Sequence, residues 1–292
     1  MEPRSNHPPL VVIVGQTASG KSSVALELAA RYDGEIICAD SRTVYKGMDI
    51  GTAKPSAGEQ GRIRHHLLDV TTPDHLFTAA DFKHQVDIAI QDIARRGKLP
   101  IMVGGTGLYV DAVIFNFGFR PPVRSQAQRT SLEGLSVEEL HMVLQKKGLP
   151  LPANERNPRH LMRQIETGGV QAMREPLRDN TLVLGITREK EDLHQRIQVR
   201  IDDMLKYGLE AEVRKLVEIY GWTPRAFQTI GYQEFRRYFE GLCDLDEVKA
   251  AVVRSTEQYA KRQLTWFKRN KSIHWICKAE ESVDLITTLL NK

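Results

Sequence analysis

Near the N-terminus Gly15, Gln16, Thr17, Ala18, Ser19, Gly20, Lys21 and Ser22 follow the spacing G-x-x-x-x-G-K-[ST], whose chemistry is the holding of a phosphate chain. Glycines at both ends let the backbone wrap a diphosphate without a Cβ in the way. Lys21 supplies a point charge to the outer phosphate, and the Ser22 hydroxyl is a ligand for Mg²⁺. The motif holds a phosphate chain whatever is then done with it, so it does not fix the reaction. Two further groups belong beside it. Asp40 opens Asp40-Ser41-Arg42-Thr43, just past the run Glu35-Ile36-Ile37-Cys38, and Thr106 lies in Gly104-Gly105-Thr106-Gly107, just past Leu99-Pro100-Ile101-Met102-Val103.

These residues work together only if strands and helices bring them to one place. Leu10-Val11-Val12-Ile13-Val14 reads as a buried strand and residues 23–32 as a helix, so the motif is a strand-to-helix turn whose N–H groups converge on an anion. The first 115 or so residues continue this alternation, which predicts an α/β fold with a parallel sheet. Ligands of such sheets bind past the carboxyl ends of the strands, where Asp40 and Thr106 also fall. Thr78 with Asp81 resembles a capping box, and Phe82, Val86, Ala89, Ile90 and Ile93 recur at helical spacing up to Gly97. His65-His66-Leu67-Leu68-Asp69-Val70 reads as a short strand whose adjacent histidines point to opposite faces, so no metal is assigned to them. The turn-rich segment 46–55 is a surface loop, open to reading as a plain connection or as a binding element.

The remainder divides into a proline-punctuated helical insertion over residues 116–180 and a return to the core over 181–292. Arg156, Arg159, His160 and Arg163 cluster in the insertion, with Arg159 and Arg163 one helical turn apart. Such a cluster is either a solvated face or an RNA-facing one. After a strand at 181–186, a helix over 190–207 carries Arg196 and Arg200 at i and i+4, and Gly208 closes it. The last long helix carries Arg254, Lys261, Arg262, Lys268, Arg269 and Lys271 against Glu257, interleaved with Tyr259, Trp266 and Phe267. Cations with interleaved rings suit single-stranded RNA, whereas rings that pack in the core leave only the charges exposed.

Composition narrows the classes. A chain of 292 residues with 41 Lys and Arg against 37 Asp and Glu has only a mild basic excess, so a nucleic-acid surface must come from local clustering. Cys38, Cys243 and Cys277 are far apart, which argues against a disulfide framework or zinc site and for a reducing compartment. With no apolar signal core at the N-terminus and no stretch long enough to span a bilayer, the expectation is a cytoplasmic protein without membrane contact.

The combined motifs are more specific than any one of them. Gly15 to Ser22, Asp40-Ser41-Arg42, Tyr45-Lys46-Gly47-Met48-Asp49-Ile50-Gly51-Thr52-Ala53-Lys54-Pro55, Gly104-Gly105-Thr106-Gly107-Leu108-Tyr109, Ile230-Gly231-Tyr232 and Lys261-Arg262-Gln263-Leu264-Thr265-Trp266-Phe267 together resemble the bacterial tRNA dimethylallyltransferases over almost the whole chain. Gln16, Ser22 and Arg159-His160 depart from that family's usual proline, threonine and Gln-Arg.

The resemblance implies transfer of a dimethylallyl group from dimethylallyl diphosphate to the exocyclic amine of the adenine 3′ of the anticodon, with Mg²⁺ and release of diphosphate. A P-loop fits, because an allylic carbon ionises readily once its leaving group is neutralised. Asp40 is then the candidate base for the amine proton. Thr106 holds the amine, and Lys21, Ser22 and Arg200 hold the diphosphate. The same carry-over puts Asp40, Ser41, Arg42, Thr43, Thr106, Arg129, Arg159, His160, Leu161, Met162, Arg163, Gln228, Gly231, Tyr232, Lys261, Arg262 and Trp266 against the tRNA anticodon arm, with the adenine flipped into the pocket and the enzyme a monomer. A small-molecule kinase and an RNA-binding protein without turnover remain as alternatives. The basic helix argues against the first and Asp40 beside the cradle against the second.

Overall fold

The computed structural model describes residues 7–119, 131–170 and 173–291. The chain divides into two units, one formed by residues 1–114 and 177–292 and the other by residues 115–176.

The larger unit is built on a six-stranded, all-parallel sheet in the order β3-β2-β4-β1-β5-β6. Its strands are β1 (Leu10–Gly15), β2 (Gly34–Cys38), β3 (His65–His66), β4 (Leu99–Gly104), β5 (Thr181–Ile186) and β6 (Ile273–Ile276). Every residue of β1, β2 and β4 is buried, as expected of strands covered by helices on both faces. Register does the positioning: Val14 pairs with Gly104, and Cys38 with Val103. The segments that follow β1, β2 and β4 therefore leave the sheet at one edge. One core joins the sheet to α1 (Lys21–Arg31) through Val24, Ala25 and Leu28. A second core gathers α7 (Lys190–Lys206), α8 (Leu209–Tyr220) and α10 (Leu245–Phe267) around Ile197, Ile201, Val213, Phe227 and Tyr232. No described helix is long and apolar enough to cross a membrane.

The strand expected over 65–70 is cut to His65–His66, because Leu67 and Asp69 adopt left-handed backbone (φ 63° and 54°) that breaks the pleat. His66 Nε2 instead meets Glu35 Oε2 at 2.7 Å, and the Arg96 guanidinium grips both oxygens of the same carboxylate. The hydrogen bonds from Arg96, followed by those from His66, hold Glu35 down at about 2 against burial. A carboxyl depressed on folding adds stability that is present above its ordinary value of 4.5 and lost as pH falls from there towards about 2. Urea unfolding at pH 7, 4.5 and 2.5 checks this: the acid loss is larger in the wild type than in Arg96→Met, whose Glu35 no longer has that partner.

The smaller unit is helical. Ser136 forms a capping box with Glu139 at the start of α5 (Val137–Lys146), and Asn157 caps α6 (Pro158–Glu166), which has its proline in the first turn. Leu140, Leu144, Leu161 and Ile165 form its core.

Candidate active site

Gly20, at φ 93°, turns the chain from the end of β1 into α1, so that Lys21 and Ser22 open the helix. The intervening loop is held from α10, some 240 residues away in sequence. Gln263 Oε1 accepts the Thr17 N–H at 2.7 Å, Gln263 Nε2 donates to the Gly105 carbonyl at 3.0 Å, and Gln16 Nε2 donates to the Ala260 carbonyl at 3.2 Å. One buried amide thus ties the phosphate loop to the second glycine turn. That contact needs a glycine, since a Cβ on residue 105 would lie 2.1 Å from Gln263 Nε2. Arg188 Nε donates to the Ser19 carbonyl at 3.0 Å. The Ser19 Oγ is buried without a partner.

Past β2 and β4, Asp40 and Thr106 come together. Thr106 Oγ1 accepts the Ser41 N–H at 3.0 Å, and Asp40 Oδ1 accepts the Arg42 N–H at 2.8 Å, so the turn after β2 is fixed from both sides. Asp40, Lys21, Thr17, Thr43, Arg200 and Tyr259 line one cavity of about 150 Å³. The Thr43 Oγ1 is buried there without a partner, and the Tyr259 hydroxyl bonds to Thr106 and Gln263. A wider cleft of about 1030 Å³ continues past Lys21, Ser22, Arg200 and the 49–55 loop.

The electrostatics follow from burying two cations beside one carboxylate. Withdrawal from water, then repulsion by Arg200, lowers Lys21 to about 8, while Asp40 pulls the other way. Burial likewise lowers Arg200, again opposed by Asp40. Burial, then Asp40, pushes Tyr259 and Cys38 each up to about 12, so both stay protonated at neutral pH. The site sets the cations of Lys21, Lys54 and Arg200 against the carboxylates of Asp40 and Glu59, an arrangement suited to an anion whose reaction releases a proton.

The other residues taken from the resemblance are scattered more widely. Arg159, His160 and Arg163 are exposed on α6, with Met162 half-buried. Leu161 is fully buried in the core of that unit, so its side chain is packing and not an RNA contact. Tyr232 is corrected in the same way: it is fully buried, and its hydroxyl donates to Glu212 Oε1 at 2.7 Å. Gln228 is exposed, while Gly231 is buried with its N–H on Glu234. Arg129 lies outside the described residues. Helix α10 ends at Phe267, so Lys268, Arg269 and Lys271 follow the helix and are not part of it. Its aromatics are not a stacking stripe. Phe267 is core, Trp266 donates to Asp111 Oδ2 at 3.1 Å, and Tyr259 lines the cavity, leaving Lys261 and Arg262 exposed.

Gln263, which sequence reasoning missed, and Tyr259, which it read only as a ring for stacking or packing, line the cavity, whereas Glu212, also missed, lies outside it and binds the 49–51 backbone. The first two lie in or beside Lys261-Arg262-Gln263-Leu264-Thr265-Trp266-Phe267, and the signal for Gln263 was an uncharged amide inside a basic helix. Glu212 had no local signal.

Comparison with known proteins fits this geometry. The IPP transferase family model matches residues 43–270. A tRNA dimethylallyltransferase of Acetivibrio thermocellus is 40% identical, over 94% of this chain and 93% of that protein. One of Anoxybacillus flavithermus is 38% identical, over 94% and 92% respectively. Among solved structures, the full-length tRNA isopentenylpyrophosphate transferase of Bacillus halodurans matches 97% of both chains at 36% identity with a TM-score of 0.76. A eukaryotic dimethylallyltransferase, caught in crystallographic snapshots acting on tRNA, matches 93% of this chain and 74% of its own at 27% identity and a TM-score of 0.77. With the model spanning most of the chain and such relatives aligned along nearly all of it, the chain belongs to the IPP transferase family.

Proposed function

We propose that the protein transfers the dimethylallyl group of dimethylallyl diphosphate to the exocyclic N6 of the adenine 3′-adjacent to the anticodon in tRNA, releasing diphosphate. The observation that carries this reading is the meeting of Lys21, Arg200 and Asp40 in one cavity at the carboxyl edge of the sheet. The N6–C1 bond forms as the C1–O bond breaks, and the bonding pair leaves with the diphosphate. Lys21 and Arg200 stabilise the charge gathering on that leaving group. The amine becomes acidic as it alkylates, and its proton passes to Asp40, while Thr106 and Tyr259 fix the base's surroundings.

Mg²⁺ fits the donor set. Among the described residues no group of three or more His, Cys, Asp or Glu side chains could hold a metal, so the ion would take its oxygens from the diphosphate, water and the Ser22 hydroxyl. When bound it would neutralise the leaving diphosphate. Bulk tRNA incubated with Mg²⁺ and either labelled dimethylallyl diphosphate or labelled ATP tests the whole reading. Label must reach tRNA from the first donor and not from the second; transfer from ATP alone makes the protein a kinase, and no transfer at all makes it a binder.

Exposed Lys261 and Arg262 supply phosphate contacts for the anticodon arm on this reading. Reversing both charges is expected to weaken tRNA binding and reduce the slope of log K against log salt by about one unit for each phosphate that is no longer neutralised. An unchanged slope in a folded variant means a merely solvated face.

A further inference from the structure

The Glu212 carboxylate, in the first turn of α8, collects four donors. Its Oε2 accepts the backbone N–H groups of Asp49 at 2.9 Å and Ile50 at 2.8 Å. Its Oε1 accepts the Gly51 N–H at 3.1 Å and the Tyr232 hydroxyl at 2.7 Å. Three consecutive amides converging on one anion form a nest, which a turn-rich loop would otherwise leave to water or to another anion. The fit around it is close: a Cβ on Gly51 would lie 2.5 Å from Tyr232 Cε2, and Tyr232 has no exposed surface. At the other end of the loop Lys54, whose side chain is 4% exposed, donates to the Tyr45 carbonyl at 3.0 Å and to Asp69 Oδ1 at 2.7 Å. Between these anchors Asp49, Ile50, Ala53, Lys54 and Pro55 line the same cleft as Lys21, Ser22 and Arg200.

We propose that Glu212 is a positioning residue for the prenyl donor. It holds the 49–55 loop as a wall of the cleft that the donor enters, acting through the loop's backbone and touching no substrate itself. Tyr232 is its support, donating to the carboxylate and bracing the loop at Gly51. This rests on the reading of the cleft as the donor's site. Glu212 sits 163 residues from Asp49, so the loop's shape, and the donor affinity that depends on it, is set by a helix outside the phosphate motif.

Glu212→Gln tests this. It keeps the side chain's size but replaces one acceptor oxygen with an amide NH₂ that cannot accept: in the Oε2 place it loses the Asp49 and Ile50 bonds, and in the Oε1 place it loses the Gly51 bond while the Tyr232 hydroxyl turns to accept. The KM for dimethylallyl diphosphate is expected to rise about tenfold or more, with kcat at saturating donor changed less than about threefold. tRNA affinity and melting temperature stay near the wild type. Hydrogen exchange of the Asp49, Ile50 and Gly51 amides accelerates, while β1 and α1 keep their protection. Tyr232→Phe removes one donor and leaves the three amide bonds, so it shifts KM in the same direction by less. A donor KM unchanged in Glu212→Gln, or one that rises only together with the tRNA Kd, overturns the proposal. If the wild type transfers nothing from dimethylallyl diphosphate, the functional reading fails separately. The clamp is then read from affinity for inorganic diphosphate and from amide exchange, where changes in both uphold it and no change in either overturns it.

Discussion

Asp40→Asn is expected to lower the single-turnover rate of dimethylallyl transfer by about 10²–10⁴-fold, with donor and tRNA binding retained. Asparagine keeps the shape of the side chain and an oxygen for the Arg42 N–H, which Asp40 Oδ1 accepts at 2.8 Å, so the turn after β2 survives. It cannot, however, take up a proton at neutral pH. Positioning therefore persists while proton removal fails, and saturating tRNA in a single turnover separates that step from product release. The assay belongs at pH 7, because the Asp40 carboxylate also helps keep Lys21 protonated and its loss lowers the lysine further. A near-normal rate would remove the base role and leave Asp40 as a positioning residue, with the proton lost to solvent or to the departing diphosphate.

The parts of the site legible in the sequence are those that come directly after a strand. Leu10–Gly15 and Leu99–Gly104 announce themselves as continuous apolar runs and Gly34–Cys38 as a shorter one interrupted by Glu35, and a parallel sheet brings the segment after each of them to one edge. The P-loop, Asp40 and Thr106 could therefore be placed together from the order of residues alone. Arg200 could not: its helix was readable, but that it reaches the cavity while Arg196 pairs with Asp192 at 2.9 Å depends on how the helix packs. Gln263 and Glu212 were hidden for the same reason, since each serves backbone groups far away in sequence, and no local pattern encodes that. The aromatic residues of the last helix show the limit of composition. Tyr259 and Phe267 are eight apart, yet one lines a polar cavity and the other fills a core, because neighbouring elements decide what each face meets.

Lys21 gives the second large effect and a pH signature of its own. In the ligand-free protein its ammonium is lowered to about 8, first by burial and then by Arg200, so near pH 8 half of the molecules have lost the charge that the diphosphate needs. A bound diphosphate supplies the counter-charge and raises that value again, so binding above pH 8 takes up a proton. Donor affinity is accordingly full below about pH 8 and falls above it, by up to tenfold per pH unit. Lys21→Ala is expected to bind donor more weakly at every pH and to lower turnover about 10²–10³-fold, as when a single donor to a developing anion is removed. It should also lose this part of the pH dependence. Calorimetric titration with inorganic diphosphate from pH 6.5 to 9.5 on both proteins makes the comparison, because the ligand's own titration is common to the two curves and cancels in their ratio. tRNA affinity, which draws on other surfaces, stays the same. Parallel pH curves would show that Lys21 remains charged throughout the range, and an equal loss of tRNA affinity would show that the phosphate loop carries part of the RNA surface as well.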